Sequence, residues 1–176
     1  MHTDTTFVCN KLGNENVSFN QQIKKHKTCK ISIITDDFNV PISVITSTGA
    51  TNDSIILNKQ LDILHKNHSI LFNENKIILA DAAYDSSILR NKVEDLKLGK
   101  LSSCKNIRNS KVPNEKVNLY DKLLLKKRIS IEHTINQFKQ YKRCQLRYDK
   151  SIKPFNSFVY LASLRILIKK SNVYLN

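Results

Sequence analysis

Acidic residues are scarce in this sequence. It contains 15 Asp and Glu against 29 Lys and Arg, which gives a net charge of +14 and a pI near 9.7. Such an imbalance indicates a polyanionic partner, most simply nucleic acid. A membrane surface is the competing polyanion, but neither a lysine-rich amphipathic terminus nor a lipidation signal supports it.

Several other features are missing as well. The four cysteines form no CxxC pair, which argues against a disulfide framework or a zinc site and favours a reducing compartment. The opening MHTDTTFV does not read as a signal peptide, and the apolar run at 158–168 is too short to cross a bilayer and contains Arg165. We therefore expect a soluble, intracellular protein that associates with nucleic acid and makes no membrane contact. Its place would be the bacterial cytoplasm or nucleoid, or the nucleus or a viral factory of a eukaryotic host.

What is present predicts one globular domain spanning residues 1–176, with 40% hydrophobic and 25% charged residues. His2 to Val8 reads as a strand that carries Asp4 on the same face as Val8. Two β-rich runs at 30–35 and 40–46, joined by the turn at 36–39, predict a hairpin with Pro41 on an edge. Helices are expected from a cap at Thr51 or Asn52 to about Lys66, at 86–96, and from Pro154 to about Lys170, with an exposed basic loop at 97–118.

Asp81 stands directly after the apolar run at 76–80, which suits a central strand buried on both faces. Such strand ends carry ligand sites in α/β folds. The alternative is that Asp81 caps a helix, although Asp85 and Ser86 are already placed for that purpose.

The stretch 122–150 contains neither Gly nor Pro and predicts a helix of about seven turns or more. At helical spacing one stripe is apolar and should face a core. Its members are Leu124, Ile131, Ile135 and Phe138.

Beside that apolar stripe, Glu132 is a lone acid among the cations Arg128, Lys139 and Arg143. One interpretation is a solvated helix face with an Arg128–Glu132 ion pair, which contributes about 0.3–0.5 kcal/mol. The other is a metal-binding carboxylate within a cationic surface that accepts a phosphate backbone. Charge favours the second, because residues 100–150 contain 14 Lys and Arg but only four acids.

Asp4, Asp81 and Glu132 thus occupy plausible positions for chemistry on phosphodiesters. Two-metal sites use carboxylates as hard oxygen ligands for Mg²⁺ and leave other positions to water and phosphate. Spacing alone leaves this a hypothesis, since the chain offers 15 acids.

Four segments together resemble the DDE transposases of insertion sequences, in particular the families numbered four and five. The segments are Asp4-Thr-Thr-Phe-Val, the run from Lys27 through Pro41, Ala80-Asp-Ala-Ala-Tyr-Asp-Ser86, and Arg128-x3-Glu132-x6-Lys139. The last reproduces the Arg, Glu and Lys of that group's Tyr-Arg-Glu-Lys signature. The motifs occur in family order.

This resemblance implies an α/β, RNase H-like fold with a central mixed β-sheet flanked by α-helices. It implies that Asp4, Asp81 and Glu132 are catalytic and bind two Mg²⁺ or Mn²⁺ ions. The reaction would be cleavage of double-stranded DNA at element ends, followed by attack of the 3′-OH on target DNA.

The resemblance also implies that Arg128 and Lys139 contact DNA. Charge and placement add Arg143, Arg147 and Lys30 to the predicted DNA-binding set. A homodimer is expected for synapsis of two element ends.

Three departures from the family pattern stand out. Leu125 replaces the signature Tyr, and Ala83 replaces the Gly of the second motif. Only three residues precede Asp4, where relatives usually carry helices that bind element ends. The chain therefore resembles a catalytic core alone, and a separate N-terminal polypeptide is a possible partner.

Three other functions remain open at this stage. One is an inactive or truncated remnant that only binds DNA, which the short N-terminus favours and the three acids disfavour. Another is a different RNase H-like nuclease such as a resolvase, which would share the acids but not the Arg-Glu-Lys spacing. An RNA-binding protein fits least well, since no aromatic stacking platform is recognisable.

Overall fold

A computed structural model describes residues 1–20, 23, 26–68, 76–103 and 129–174, with side chains to 171. These residues form a mixed sheet with helices on both faces. The strands are β1 His2–Asn10, β2 Thr28–Thr35, β3 Pro41–Thr48, β4 Ile77–Ala80, β5 Lys100–Ser103 and β6 Leu146–Arg147. The helices are α1 Asp53–His68, α2 Ser87–Asp95, α3 Ile129–Lys139, α4 Lys142–Gln145 and α5 Ile152–Tyr174.

The strands lie in the order β3-β2-β1-β4-β5, and β6 pairs with the far end of β1. Strands β1, β2 and β3 are antiparallel neighbours, whereas β4 runs parallel to both β1 and β5. This mixed open sheet flanked by helices confirms the predicted RNase H-like α/β fold.

The hairpin between β2 and β3 forms as predicted. The Asp36 carboxylate accepts hydrogen bonds from the backbone N–H groups of Phe38 and Val40, at 2.9 and 2.8 Å, and so closes the turn. Asn39 adopts a left-handed φ of 63°, which Asn tolerates better than most residues. Pro41 begins β3, which is an edge strand, so its missing N–H costs the sheet little.

Each face of the sheet covers its own hydrophobic core. On one face α1 and α2 pack against the strands, with Leu57, Leu61, Leu64, Ile78, Tyr84, Leu89 and Val93 fully buried. On the other face the helices after β5 bury Ile131, Ile135, Phe138, Phe155 and Val159 against Val8, Cys29, Ile31 and Ile33. The predicted apolar stripe of α3 is thereby confirmed for its three described members; Leu124 lies outside the described residues.

The prediction of one long helix over 122–150 is wrong. Helix α3 ends at Lys139, and Tyr141 takes an extended conformation with φ −86° and ψ 116°. The strand β6 then pairs with the end of β1, and Lys11 N donates a hydrogen bond to Arg147 O at 2.9 Å. A continuous helix would carry these residues away from the sheet, so tertiary pairing overrides the local helical preference.

Two further boundaries differ from the sequence prediction. Residues 100–103 form strand β5 beside β4 instead of belonging to an exposed loop. Helix α5 starts at Ile152, two residues before Pro154, because the Glu15 carboxylate accepts a hydrogen bond from Ile152 N at 2.8 Å and caps the helix. Helices α1 and α2 lie where predicted, and Asn52 accepts a capping bond from Ser54 N.

Candidate active site

Asp4 and Asp81 occupy corresponding positions on neighbouring parallel strands. His2 of β1 pairs with Leu79 of β4, and each acid follows its strand's member of that pair by two residues. Asp81 has φ −77° and ψ 168°, so the chain stays extended through it. Because side chains alternate along a strand, the two carboxylates leave the same face of the sheet at the end of β4.

The backbone beside each acid orients its carboxylate. Thr5 N donates to Asp4 Oδ1 at 2.8 Å, and Ala82 N donates to Asp81 Oδ1 at 2.7 Å. The second bond caps a short 3-10 turn, Ala82–Tyr84. Asp81 therefore does act as a cap, which sequence reasoning had assigned to its neighbours.

The neighbours serve other purposes. The Asp85 carboxylate pairs with the Arg90 guanidinium, and the Ser86 side chain makes no capping bond to α2. Ala83 lies within the 3-10 turn, where φ is negative, so the family's glycine is not needed there for backbone conformation.

Tyr84 is a residue of the candidate site that the sequence analysis did not single out. Its hydroxyl lies 2.6 Å from Thr5 Oγ1 across 79 residues of sequence, and its side chain is only 1% exposed. Burial raises the pKa of the phenol far above its ordinary value, and the carboxylates of Asp53, Asp4 and Asp81 raise this pKa further. Both predicted aspartates therefore act electrostatically on one buried hydroxyl. Tyr84 lies within the motif Ala80-Asp-Ala-Ala-Tyr-Asp-Ser86, but no pattern in the sequence connects it with Thr5.

Glu132 lies in the first turn of α3 and is exposed. Its neighbour Ile131 packs in the core that also contains Val8, and Val8 shares a face of β1 with Asp4. Thr134 Oγ1 donates to Asn39 O at 3.0 Å, which fixes this part of α3 near the end of the sheet where β1 begins. Glu132 thus belongs to the helix that covers the face bearing the two aspartates.

Two of the predicted DNA-binding cations are exposed on this side of the molecule. Lys139 lies in the last turn of α3. Arg143 of α4 keeps 45% of its side chain exposed while it pairs with Asp149 and stacks 4.2 Å above the Phe158 ring. Arg128 lies outside the described residues, as does Leu125.

Arg147 and Lys30 do not fit the predicted contact with DNA. Arg147 is 0% exposed; its guanidinium donates to the carbonyl of Asp149 at 3.0 Å and lies 5.1 Å from the Phe155 ring centre. Lys30 is 5% exposed, and its ammonium donates to Asp53 Oδ1 at 2.8 Å on the α1 side of the sheet. Each buried cation has a partner inside the fold, an ion pair for Lys30 and a backbone carbonyl for Arg147. Such partners offset the large cost of burying a charge.

The donor set fits a divalent metal in part. Asp4 and Asp81 supply neighbouring carboxylate oxygens, the ligands that Mg²⁺ and Mn²⁺ prefer. Within the part of the chain that the structure describes, no three His, Cys, Asp or Glu side chains gather closely enough to hold a metal. Glu132 therefore shares the face of the aspartates without completing a three-acid cluster.

Comparison with known proteins decides the family. The profile of the family described as "Transposase DDE domain" matches residues 8–166, most of the chain. The chain belongs to this family. The transposase domain is also 27% identical over 146 residues to a Brucella ovis protein named "Putative transposase for insertion sequence element IS6501". That similarity covers 81% of this chain and 99% of the relative, and no solved structure matches significantly.

The matched region of the transposase domain contains Asp81, Glu132, Lys139 and Arg143 but begins after Asp4. The assignment of Asp4 therefore depends on its register with Asp81. The described cysteines of the domain, Cys9, Cys29 and Cys144, are free thiols. Among its described helices, none is long and apolar enough to cross a membrane.

Proposed function

We propose that this protein catalyses metal-dependent cleavage of DNA at the ends of a mobile element and transfer of the 3′-OH strand end into target DNA. The observation that carries the proposal is the register of Asp4 and Asp81 on adjoining parallel strands in a member of the DDE transposase family. The position of Glu132 on the helix above the same sheet face supports it.

Asp4, Asp81 and Glu132 would hold two Mg²⁺ or Mn²⁺ ions, which supply a Lewis acid at the scissile phosphate and lower the pKa of the attacking hydroxyl. The chain's own part is to place the carboxylates. The peptide N–H groups of Thr5 and Ala82 orient the two aspartates before substrate arrives. Such preorganisation avoids a cost of rearrangement during the reaction.

Exposed cations beside the acids would receive the DNA backbone. Lys139 lies at the end of α3, the helix that carries Glu132, and Arg143 lies on the following helix, α4. Arg128 precedes Glu132 by four residues in the sequence. Arg143 shares its charge with Asp149, so we assign the stronger phosphate contact to Lys139. Arg147 and Lys30 are left out of this interface because both are buried.

Element ends, target DNA, a second copy during synapsis and a separate end-binding polypeptide are the partners that this function requires. A protein that only binds DNA is the competing function, and the lack of a three-acid cluster among the described side chains favours it.

Nicking of plasmid DNA in Mg²⁺ or Mn²⁺ tests the proposal. We expect the wild type to nick DNA only with metal and Asp81→Asn to lose the activity, because Asn removes the charge but can still accept the bond from Ala82 N. Asp62→Asn is the matched control, since Asp62 is an exposed acid on α1 that pairs with Lys92. Tight, salt-sensitive binding without metal-dependent nicking by the wild type would favour the DNA-binding remnant instead.

A further inference from the structure

A side-chain hydrogen bond connects the segments that carry Asp4 and Asp81. Thr5 Oγ1 and the Tyr84 hydroxyl lie 2.6 Å apart. Thr5 is the residue after Asp4, and Tyr84 closes the 3-10 turn that Asp81 caps. The Thr5–Tyr84 pair therefore joins β1 to the turn after β4 at the level of the proposed site.

Backbone pairing does little to hold the two acids together at this level. In the described residues, the β1–β4 ladder consists of the pair His2–Leu79, which precedes both aspartates. Beyond this pair, the Thr5–Tyr84 hydrogen bond connects the two segments on the far side of the acids. The separation of the two strand ends is thus set by the His2–Leu79 backbone pair before the acids and by the Thr5–Tyr84 hydrogen bond after them.

Each end of the Thr5–Tyr84 pair is itself fixed to one acid. Thr5 N donates to Asp4 Oδ1 at 2.8 Å, and Tyr84 N donates to Asp81 O at 3.0 Å. The Tyr84 ring is held in the core beneath α1 and α2. Because the backbone N–H groups of Thr5 and Tyr84 make these bonds, a shift of either backbone after loss of the Thr5–Tyr84 bond would move the neighbouring aspartate.

The Thr5–Tyr84 pair lies on the opposite face of the sheet from the proposed metal ligands. Thr5 alternates with Asp4 along β1, so its side chain leaves the opposite face of the sheet. Tyr84 belongs to the core on that opposite face, whereas α3 and Glu132 cover the face of the aspartates. Neither hydroxyl is expected to touch DNA or metal.

We propose that Thr5 and Tyr84 are positioning residues that set the spacing of the Asp4 and Asp81 carboxylates for a divalent cation. This inference rests on the proposed function, because it assumes that the two aspartates share metal ligation. It assigns to the tyrosine of the second motif a role in site geometry instead of direct chemistry.

Binding of Mn²⁺ alone, measured by electron paramagnetic resonance of the free ion, tests the inference without DNA or catalysis. The variants are Tyr84→Phe, which keeps the ring in the core, Thr5→Val, which keeps the branched shape, and the double variant. We expect each single change to weaken Mn²⁺ binding by about 10-fold, as loss of an outer-shell partner commonly does. The double variant should lose no more than either single one, because both remove the same bond.

Two controls separate positioning from a structural role. Thr5→Ser retains the hydroxyl and should bind Mn²⁺ almost as the wild type does. Tyr160→Phe removes a hydroxyl from an exposed tyrosine of α5 and should change nothing. Thermal unfolding of every variant shows whether a loss of binding follows a loss of folded protein.

The outcomes differ for the two proposals. Wild-type Mn²⁺ affinity in both single variants would overturn the positioning role, as would losses that add in the double variant. A loss of binding that follows the thermal unfolding midpoint and persists in Thr5→Ser would also overturn it. A wild type that neither binds Mn²⁺ nor nicks DNA would instead refute the proposed function, and the inference with it.

Discussion

The charged residues on the sheet and those on the helices that follow β5 differ in their exposure to solvent. On the strands and their ends, Lys30 and Arg147 are buried and the aspartates have backbone donors on their carboxylates. On α3 and α4, by contrast, Glu132, Lys139 and Arg143 are exposed to solvent. The sheet therefore fixes its charged groups through protein partners, whereas the helices present theirs outward.

This difference in exposure determines which of the cations predicted to bind DNA are available to it. A cation in a basic stretch looks the same in sequence whether it ends up buried or exposed, and Arg143 and Arg147 are one helical turn apart in number. Arg143 contacts the aromatic ring of Phe158 at the surface, whereas Arg147 lies beside Phe155 inside the fold. A shared positive charge is therefore weak evidence for a shared role.

The largest expected effect is the loss of chemistry without loss of fold. Glu132→Gln should reduce strand cleavage by about 1,000-fold or more, since metal-ligand charge supplies several kcal/mol of transition-state stabilisation. DNA affinity should stay the same or rise slightly, because the change removes a negative charge from a cationic surface. Initial nicking rates and equilibrium DNA binding measure the two effects.

His133→Gln is the control for that change, because His133 is the adjacent exposed residue of α3. Both variants should unfold at the wild-type denaturant concentration, as expected for exposed helix positions. Normal cleavage by Glu132→Gln would exclude Glu132 from the chemistry and leave the interpretation of a solvated helix face.

The second prediction concerns stability and sharpens the contrast between the two arginines. Arg147→Met should lower the free energy of unfolding by about 3 kcal/mol, because the buried carbonyl of Asp149 loses its donor and Asp149 loses a neighbouring cation. Arg143→Met should cost less, about 1–2 kcal/mol, because the Arg143 side chain is 45% exposed and the buried Asp149 keeps the cation of Arg147 as a neighbour. Urea unfolding followed by circular dichroism measures both.

DNA binding gives the opposite order for the same pair. Measured below its unfolding transition, Arg147→Met should keep the wild-type salt dependence of DNA binding, whereas Arg143→Met should weaken binding modestly. A reversed pattern, with Arg147→Met stable and poor in DNA binding, would show that the buried guanidinium becomes accessible and would break the contrast.

Much of the fold follows from local patterns in the sequence. The β2–β3 hairpin was predictable because Asp36 and Asn39 are suited to its turn, and β4 was predictable from its continuous apolar run. The apolar spacing of Ile131, Ile135 and Phe138 correctly gave the buried side of α3. In each case residues close in sequence determine the structure.

Most of the misses involve partners distant in sequence. The end of α3 depends on the pairing of β6 with β1, and the start of α5 depends on Glu15. The Thr5–Tyr84 bond and the burial of Arg147 have the same character, since no local period reports them. For the site, the sequence supplied the three acids, whereas the register of Asp4 with Asp81 required the folded sheet.

The smallest predicted effect concerns one phosphate contact. Lys139→Ala should reduce the slope of log affinity against log salt by about one and weaken DNA binding several-fold at low salt, because one released counterion is lost. Lys59→Ala is the matched control, since Lys59 is also exposed but lies on α1, across the sheet from Glu132. Filter binding over a range of salt concentrations gives both slopes. Equal slopes for Lys139→Ala and the wild type would show that the DNA does not contact this end of α3. The exposure of Lys139 and Arg143, in contrast to the burial of Lys30 and Arg147, would then need an explanation other than DNA binding.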